Sequence, residues 1–304
     1  MSIVVVGSSN TDLVVNVPRI PNEGETVLGH KFNTHQGGKG ANQAVAATRL
    51  GGDVFFVSCI GKDDHGDQAI LSYQAEGVET RYIVREGTTS GVALIAVNKE
   101  GKNTIAVSPE SNALLSTEHI DAVDKTLERC DIVLVQLEIP LPTIEHLAKK
   151  CKNYKCKLIL NPAPAVKLSE TIYKHIDIIT PNEREAEILT GIKITDEKTV
   201  MLSAEVLAQK GVGEVIITLG DKGAYLYNKT HHVLIPGFNV NAVDTTAAGD
   251  TFNGSIAYAL DQNKSIHEAI QFANAASALA VTKHGAQSST PTYNTVIDFL
   301  NSHP

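Results

Sequence analysis

The chain has 304 residues, and its 26 basic against 34 acidic side chains give a net charge of −8. That length suits one large α/β unit or two ordinary domains, and the acidic balance excludes electrostatic nucleic-acid binding, which needs a basic surplus on one face. An apolar content of 42% excludes a disordered chain, and no apolar run approaches the ~18 residues of a membrane helix.

The opening, MSIVVVGSSN, has neither the basic nor the apolar region of a signal peptide. A cytoplasmic location is therefore expected, without nucleic-acid or membrane partners. Cys59, Cys130, Cys151 and Cys156 form no Cys-x-x-Cys pair and read as reduced thiols.

In chain order, Ile3–Val6 is a short apolar run that reads as a buried strand. Asp12–Val17 and Thr26–His35 read as extended segments around a bend holding Pro18 and Pro21. The alanine-rich stretch after Gly40 reads as a helix ending near Leu50. Gly91–Asn98 and Asn103–Val107 flank Lys99-Glu100-Gly101-Lys102, a hairpin turn. Further on, Ile132–Leu137, Lys157–Leu160, Ile176–Ile179 and Val215–Leu219 read as buried strands. Helical spacing separates them at Ile144–Lys150, Glu183–Leu189 and Val200–Gln209, and the chain after Gly249 is helical over Asp250–Leu260 and Ile266–Thr282.

Buried strands alternating with helices predict a three-layer α/β/α, Rossmann-like core around a mostly parallel sheet. The four extended segments without intervening helices predict a small antiparallel β-sheet standing off it. The expected division is a core of residues 1–11, 37–90 and 108–304, with a discontinuous lid of residues 12–36 and 91–107.

The polar tips that follow the strands are Gly7-Ser8-Ser9-Asn10-Thr11-Asp12, Glu138, Asn161-Pro162, Pro181-Asn182-Glu183-Arg184-Glu185 and Gly220-Asp221-Lys222-Gly223. In an open parallel sheet, strand carboxyl ends share one edge where ligands bind. Any one tip is explained by loops being polar. Five together favour a small-molecule crevice.

Two segments carry chemistry. Asp244-Thr245-Thr246-Ala247-Ala248-Gly249-Asp250 opens a helix, and its small residues let backbone N–H groups approach an anion beside a favourable dipole. Asp250 there can accept a proton from a hydroxyl attacking phosphorus. The plainer reading is a first-turn carboxylate contributing ~0.3–1 kcal/mol to its helix. Gly37-Gly38-Lys39-Gly40-Ala41-Asn42-Gln43-Ala44 is not a Walker A loop, because no Gly-Lys-Ser/Thr follows at the required spacing, and it also suits a hinge below a lid. The first strand turn lacks the glycines of a dinucleotide fingerprint.

Together with Asn182-x-x-Glu185 and Thr218-Leu219-Gly220-x-x-Gly223, these segments resemble the ribokinase/PfkB family of carbohydrate kinases. Asn161-Pro162-Ala163-Pro164-Ala165 and Lys283-His284-Gly285-Ala286-Gln287 extend the resemblance from Ile3 to Pro291 and point to the ribose-phosphorylating branch. One departure is Ser255, where the family pattern has Gly or Ala. The resemblance implies ATP-dependent phosphorylation of ribose at its primary hydroxyl, with Asp250 as general base and an anion hole at Ala247, Ala248 and Gly249. Asn10, Asp12, Gly38, Lys39, Asn42, Glu138 and Asp250 would bind the sugar. Asn182, Glu185, Thr218, Gly220, Gly223, Gly249 and Asn274 would frame ATP, with Glu185 reaching magnesium through water. Asp244 and Thr246, with main-chain oxygens at Ala280, Lys283, Gly285 and Ser289, would hold potassium, and the lids would pair across a homodimer.

Each position also has a structural reading. Asn182 and Glu185 have the spacing of a capping box, Gly220 and Gly223 that of turn glycines, and Asp12 and Glu138 those of a turn and a solvated loop. Rival functions are a related kinase for deoxyribose, fructose or a nucleoside, and a non-catalytic sugar sensor. A nucleoside kinase wants aromatic groups near the lid, where only Phe32 is available. A sensor could dispense with Asp250.

Overall fold

The computed structural model describes residues 2–303, and the account below is of those residues. A nine-stranded sheet runs in the order β13-β12-β11-β10-β9-β8-β1-β4-β5. Its parallel part comprises β1 (Ile3–Val6), β4 (Val54–Ile60), β5 (Ile83–Arg85), β8 (Ile132–Val135), β9 (Lys157–Leu160), β10 (Ile178–Ile179) and β11 (Glu214–Thr218). The strands β12 (Gly223–Tyr227) and β13 (His232–Pro236) add an antiparallel edge.

Successive residues of each central strand enter opposite layers. Val4, Val6, Val133, Val135, Leu158 and Leu160 pack on one face beneath α3 (Thr117–Asp121), α4 (Asp124–Leu127), α5 (Leu141–Tyr154), α6 (Glu183–Thr190) and α7 (Glu197–Gln209). Ile3, Val5, Ile132, Leu134 and Ile159 pack on the other, against α1 (Lys39–Arg49), α2 (Asp64–Ala75), α8 (Ala248–Asp261), α9 (Ile266–Ala280) and α10 (Tyr293–Ser302). Both faces being apolar is what a covered parallel sheet requires. The expected three-layer core is present.

A second sheet has the order β3-β2-β6-β7, from β2 (Asn10–Asn16), β3 (Lys31–Gly37), β6 (Gly91–Val97) and β7 (Asn103–Ser108). Its outer pairs are antiparallel, but the central pair β2–β6 is parallel. The expectation of a wholly antiparallel sheet is corrected here: β6 returns only after α1, β4, α2 and β5, and so long a crossover permits parallel pairing. The Thr26–His35 segment becomes a strand only from Lys31, because β2 ends at Asn16, the partner of Lys31. The fourth core strand, expected over Ile176–Ile179, shortens to Ile178–Ile179 because a 3-10 turn occupies Tyr173–His175 just before it.

Small residues set the decisive contact. A methyl at Gly254 of α8 would lie 2.6 Å from Ala46 Cβ and 2.7 Å from the Gln43 carbonyl. Glycine there, facing the alanines of α1, lets α1 and α8 touch closely. Ser255 is fully buried beside it, and its hydroxyl has no partner among the described residues. Serine is small enough for the position.

Candidate active site

The β1 neighbours are β4 on one side and β8 on the other, so the strand order reverses at the β1–β8 boundary. Such a switch point opens a crevice beyond the strand carboxyl ends. Asn10, from beyond β1, and Glu138, from beyond β8, both line a cleft of about 350 Å³ there. Val107, Leu137, Ile139 and Pro164 supply its apolar walls, and Asn112 its third polar group.

Glycines create the floor. Gly38 has φ +88, and a methyl on it would meet Asn10 N at 2.7 Å. At Gly37 the methyl would meet both Asp12 carboxylate oxygens at 2.3 Å. The chain can therefore pass this close to Asn10 and Asp12 only without side chains. The helix α1 that follows has no side-chain cap of its own. Glu138 supplies it from a distance, its Oε2 accepting from Lys39 N at 3.1 Å and from Ser8 Oγ at 2.6 Å. Lys39 Nζ lies 3.7 Å from Glu138 Oε1.

Asp250 sits in the first turn of α8, 8% exposed. Its Oδ2 accepts from Asn42 Nδ2 at 2.9 Å and its Oδ1 from Gln43 Nε2 at 3.0 Å. Immediately before it, Thr245, Thr246 and Gly249 are exposed and Ala247 is left-handed at φ +56. A methyl on Gly249 would meet nothing within 4 Å. The helix start is thus open in front of a buried carboxylate. Of the loop N–H groups, that of Ala248 is donated to the Thr245 carbonyl at 3.3 Å.

Burial dominates the electrostatics. It pushes Asp12 up to about 7, helped by the Glu138 and Asp250 carboxylates and opposed by Lys39. It also raises Asp250, against the pull of Lys39 and the Asn42 and Gln43 donors. For Lys39, burial alone would lower the value, but Asp250, Glu138 and Glu185 outweigh it and hold the ammonium charged. Glu185 is raised by burial, with its bond to Asn182 N opposing.

The remaining positions form two groups. Asn182 and Glu185 make a reciprocal capping box on α6, both bonds 2.8 Å. A bridge ties Asn182 to Thr218, whose N–H donates to Pro181 O at 2.9 Å. Gly220 (φ +61) has open space above it, whereas a methyl on Gly223 would lie 2.2 Å from Ile235 O. Asn274 Nδ2 donates to the Ile235 and Pro236 carbonyls at 3.2 and 3.1 Å, steadying the same loop. In the second group, the Asp244 carboxylate accepts from Thr246 N and Gly285 N, each at 2.9 Å, and joins the two loops. Burial alone would raise Asp244, but these N–H donors outweigh it and hold the carboxyl low. The Ala280 carbonyl accepts from Lys283 N at 3.1 Å, and Ser289 is buried in the turn closing this loop.

Several site residues escaped the sequence reading as individuals. Gln43, next to Asn42 in the glycine-rich segment, holds Asp250 from the same helix. Asn112 fixes the first strand turn, accepting from Ser9 N at 2.9 Å and donating to Asn10 Oδ1 at 2.8 Å. Gln136, a buried amide within the apolar run Ile132–Leu137, is the signal the sequence carries for this group.

A buried carboxylate beside an open helix start, at the carboxyl edge of a parallel sheet, is the arrangement of an α/β phosphotransferase for a small molecule. Residues 1–293 match the family described as pfkB family carbohydrate kinase. The chain belongs to that family. It is 46% identical to a ribokinase of Haemophilus influenzae over 301 residues, 98% of each chain. To a deoxyribokinase of Salmonella typhi it is 37% identical over 303 residues, 99% of each. The structure of Arabidopsis thaliana ribokinase complexed with ribose and ATP superposes with a TM-score of 0.91 at 31% identity, covering 98% of both chains.

Proposed function

We propose that this protein transfers the γ-phosphoryl group of ATP to the primary hydroxyl of ribose, giving ribose 5-phosphate and ADP. The observation that carries this reading is Asp250, buried, held on both oxygens and facing an open helix start. The sugar oxygen attacks the γ-phosphorus, the bond to the bridging oxygen breaks, and ADP leaves with its electrons. The hydroxyl proton goes to Asp250, late in a loose transition state. Backbone N–H groups of Ala247 and Gly249 and the α8 dipole would stabilise the transferring charge, joined by that of Ala248 once it leaves the Thr245 carbonyl. Asn10, Asp12, Gly38, Lys39, Asn42 and Glu138 grip the sugar, carboxylates accepting from neutral hydroxyls in charge-assisted bonds. Asn182, Glu185, Thr218, Gly220, Gly223 and Asn274 frame the nucleotide.

The donor sets suit the two cations this chemistry uses. No group of three His, Cys, Asp or Glu among the described residues is poised for a metal. Magnesium needs no such cage, because it is held largely by phosphates and water with one or two carboxylates; Glu185 would supply that carboxylate. When bound, it would neutralise charge on the phosphates. Asp244, whose N–H donors hold it ionised, and Thr246, with the main-chain oxygens of Ala280, Lys283, Gly285 and Ser289, would give the oxygen donors that suit potassium.

The four-stranded sheet would act as a lid (residues 12–36 and 91–107), excluding water that would otherwise hydrolyse ATP. Positioning two substrates can supply roughly 7–11 kcal/mol, against ~10²–10⁴-fold from a general base, so closure counts at least as much as Asp250. Phe32 and Leu94, on the sheet face opposite Asp12, and Leu28 on the adjoining loop leave apolar surface exposed. Pairing of two lids in a homodimer would cover it. We expect sedimentation at assay concentration to show a dimer; a strict monomer removes that part of the reading. The four buried free cysteines support work in the reducing cytoplasm, beside ATP.

Ribose rather than a nucleoside is favoured by Phe32, which pairs with Val15 and so lies on the sheet face opposite Asp12. A panel of sugars with ADP release as the readout, with and without potassium, tests the assignment. Ribose should give the highest kcat/KM, and activity should fall when potassium is omitted. Preference for deoxyribose or fructose would reassign the substrate, and no ADP release with any sugar would leave a sensor.

A further inference from the structure

Asp250 is reached by two parallel chains of carboxamides. Gln136 Nε2 donates to Gln43 Oε1 at 2.6 Å, and Gln43 Nε2 donates in turn to Asp250 Oδ1 at 3.0 Å. Gln287 Nε2 donates to Asn42 Oδ1 at 3.1 Å, and Asn42 Nδ2 donates to Asp250 Oδ2 at 2.9 Å. All four amides are buried, Gln43 and Gln136 completely. Their anchors come from separate parts of the chain: Gln136 directly follows β8, and Gln287 lies in a turn, its own carbonyl accepting from Arg49 Nη1 at 2.5 Å.

We propose that these two relays hold Asp250 in its reactive orientation, making Gln136 and Gln287 positioning residues for phosphoryl transfer although neither touches Asp250. The inference deepens the kinase reading and rests on Asp250 being the proton acceptor.

The physical reason lies in the two-ended amide. A carboxamide can turn its carbonyl or its NH2 toward a neighbour at almost no steric cost. An ionised Asp250 favours the NH2 end, but that preference weakens once Asp250 takes the proton. Pinning the far end removes the ambiguity. Were Gln43 reversed, its carbonyl would face Asp250 Oδ1 and Asn161 Oδ1, and its NH2 would face the NH2 of Gln136. With the outer donors in place, the N–H groups stay aimed at Asp250 throughout the proton transfer, so nothing must reorganise. The fold makes room for this: a methyl on Gly7 would strike Gln136 Oε1 at 2.1 Å and Gly40 Cα at 2.7 Å. The same Gln136 oxygen is buried without a partner among the described residues. The charged groups around Asp250 are Lys39 on α1, Glu138 beyond β8, Asp12 on β2 and Glu185 on α6.

Gln136→Met and Gln287→Met each remove one outer donor with little change of volume. Gln136→Met deletes one unpartnered buried oxygen and leaves another, Gln43 Oε1, without its donor, so the two effects offset and its melting temperature should stay near that of the parent. Each should lower kcat roughly tenfold with KM for ribose little changed. Each should also move the acidic limb of the pH–rate profile upward, because Asp250 is less well served by N–H donors. In an Asp250→Asn background the same substitutions should cost nothing further. An unmoved acidic limb, or the same loss in the Asp250→Asn background, overturns the relay. Full turnover by Asp250→Asn alone would instead overturn the base assignment, so the two failures are distinguishable.

Discussion

Asp250→Asn lowers turnover at least ~10²-fold while sugar and ATP affinity stay near those of the parent. The amide keeps the shape of the carboxylate and loses only the ability to take the hydroxyl proton. Its NH2 must face either Asn42 Nδ2 or Gln43 Nε2, both donors, which costs some stability. Against that, the change removes a carboxylate whose burial disfavours its charge, so the variant should still fold. Single-turnover measurement of ADP release, with sugar binding by calorimetry, separates the two quantities. Near-normal turnover would take Asp250 out of the base role.

The second large effect concerns Asp12, and it changes sign between binding and stability. Burial and two neighbouring carboxylates raise it from 3.8 to about 7 in the folded protein. Between those values the folded state keeps a proton that the unfolded chain has released. This contribution to stability is therefore fully present below the unfolded value and falls away as pH rises through about 7. Asp12→Asn abolishes that slope, so in denaturant titrations the variant should gain on the parent from about pH 5 to about pH 8. Sugar binding runs the other way. The ionised carboxylate accepts hydroxyls in charge-assisted bonds, so the parent's affinity should rise over the same pH range. The variant should bind ribose roughly 10- to 100-fold more weakly, without that pH dependence. A constant stability difference between the two proteins across this range would refute the titration of Asp12.

Position 12 thus trades stability for function, as does the floor beneath it. Gly37 and Gly38 contribute no side-chain packing, and their value is the room they leave for Asp12 and Asn10.

What the sequence determined by itself was local or periodic. Ile3–Val6 and Lys157–Leu160 are strands because short apolar runs bounded by turn residues can satisfy their backbones only in a covered sheet. The capping box at Asn182 and Glu185 was readable because both partners lie within one helical turn. Asp250 stood out because small residues precede it at a helix start. The parallel pairing of β2 with β6 was not readable, since register between segments some 80 residues apart depends on how the intervening chain packs. The cap that Glu138 places on α1 and the amides that reach Asp250 are also tertiary, with partners 93 to 245 residues apart. Composition pointed the same way: a net charge of −8 describes the whole surface, whereas the charge around Asp250 was set by burial and by which side chains the fold turned inward. Hydrogen bonds of this kind leave no spacing in the chain. The close approach of α1 to α8, which Gly254 permits, sets Asn42 and Gln43 against Asp250, and the turns that carry Gln136 and Gln287 complete the cluster.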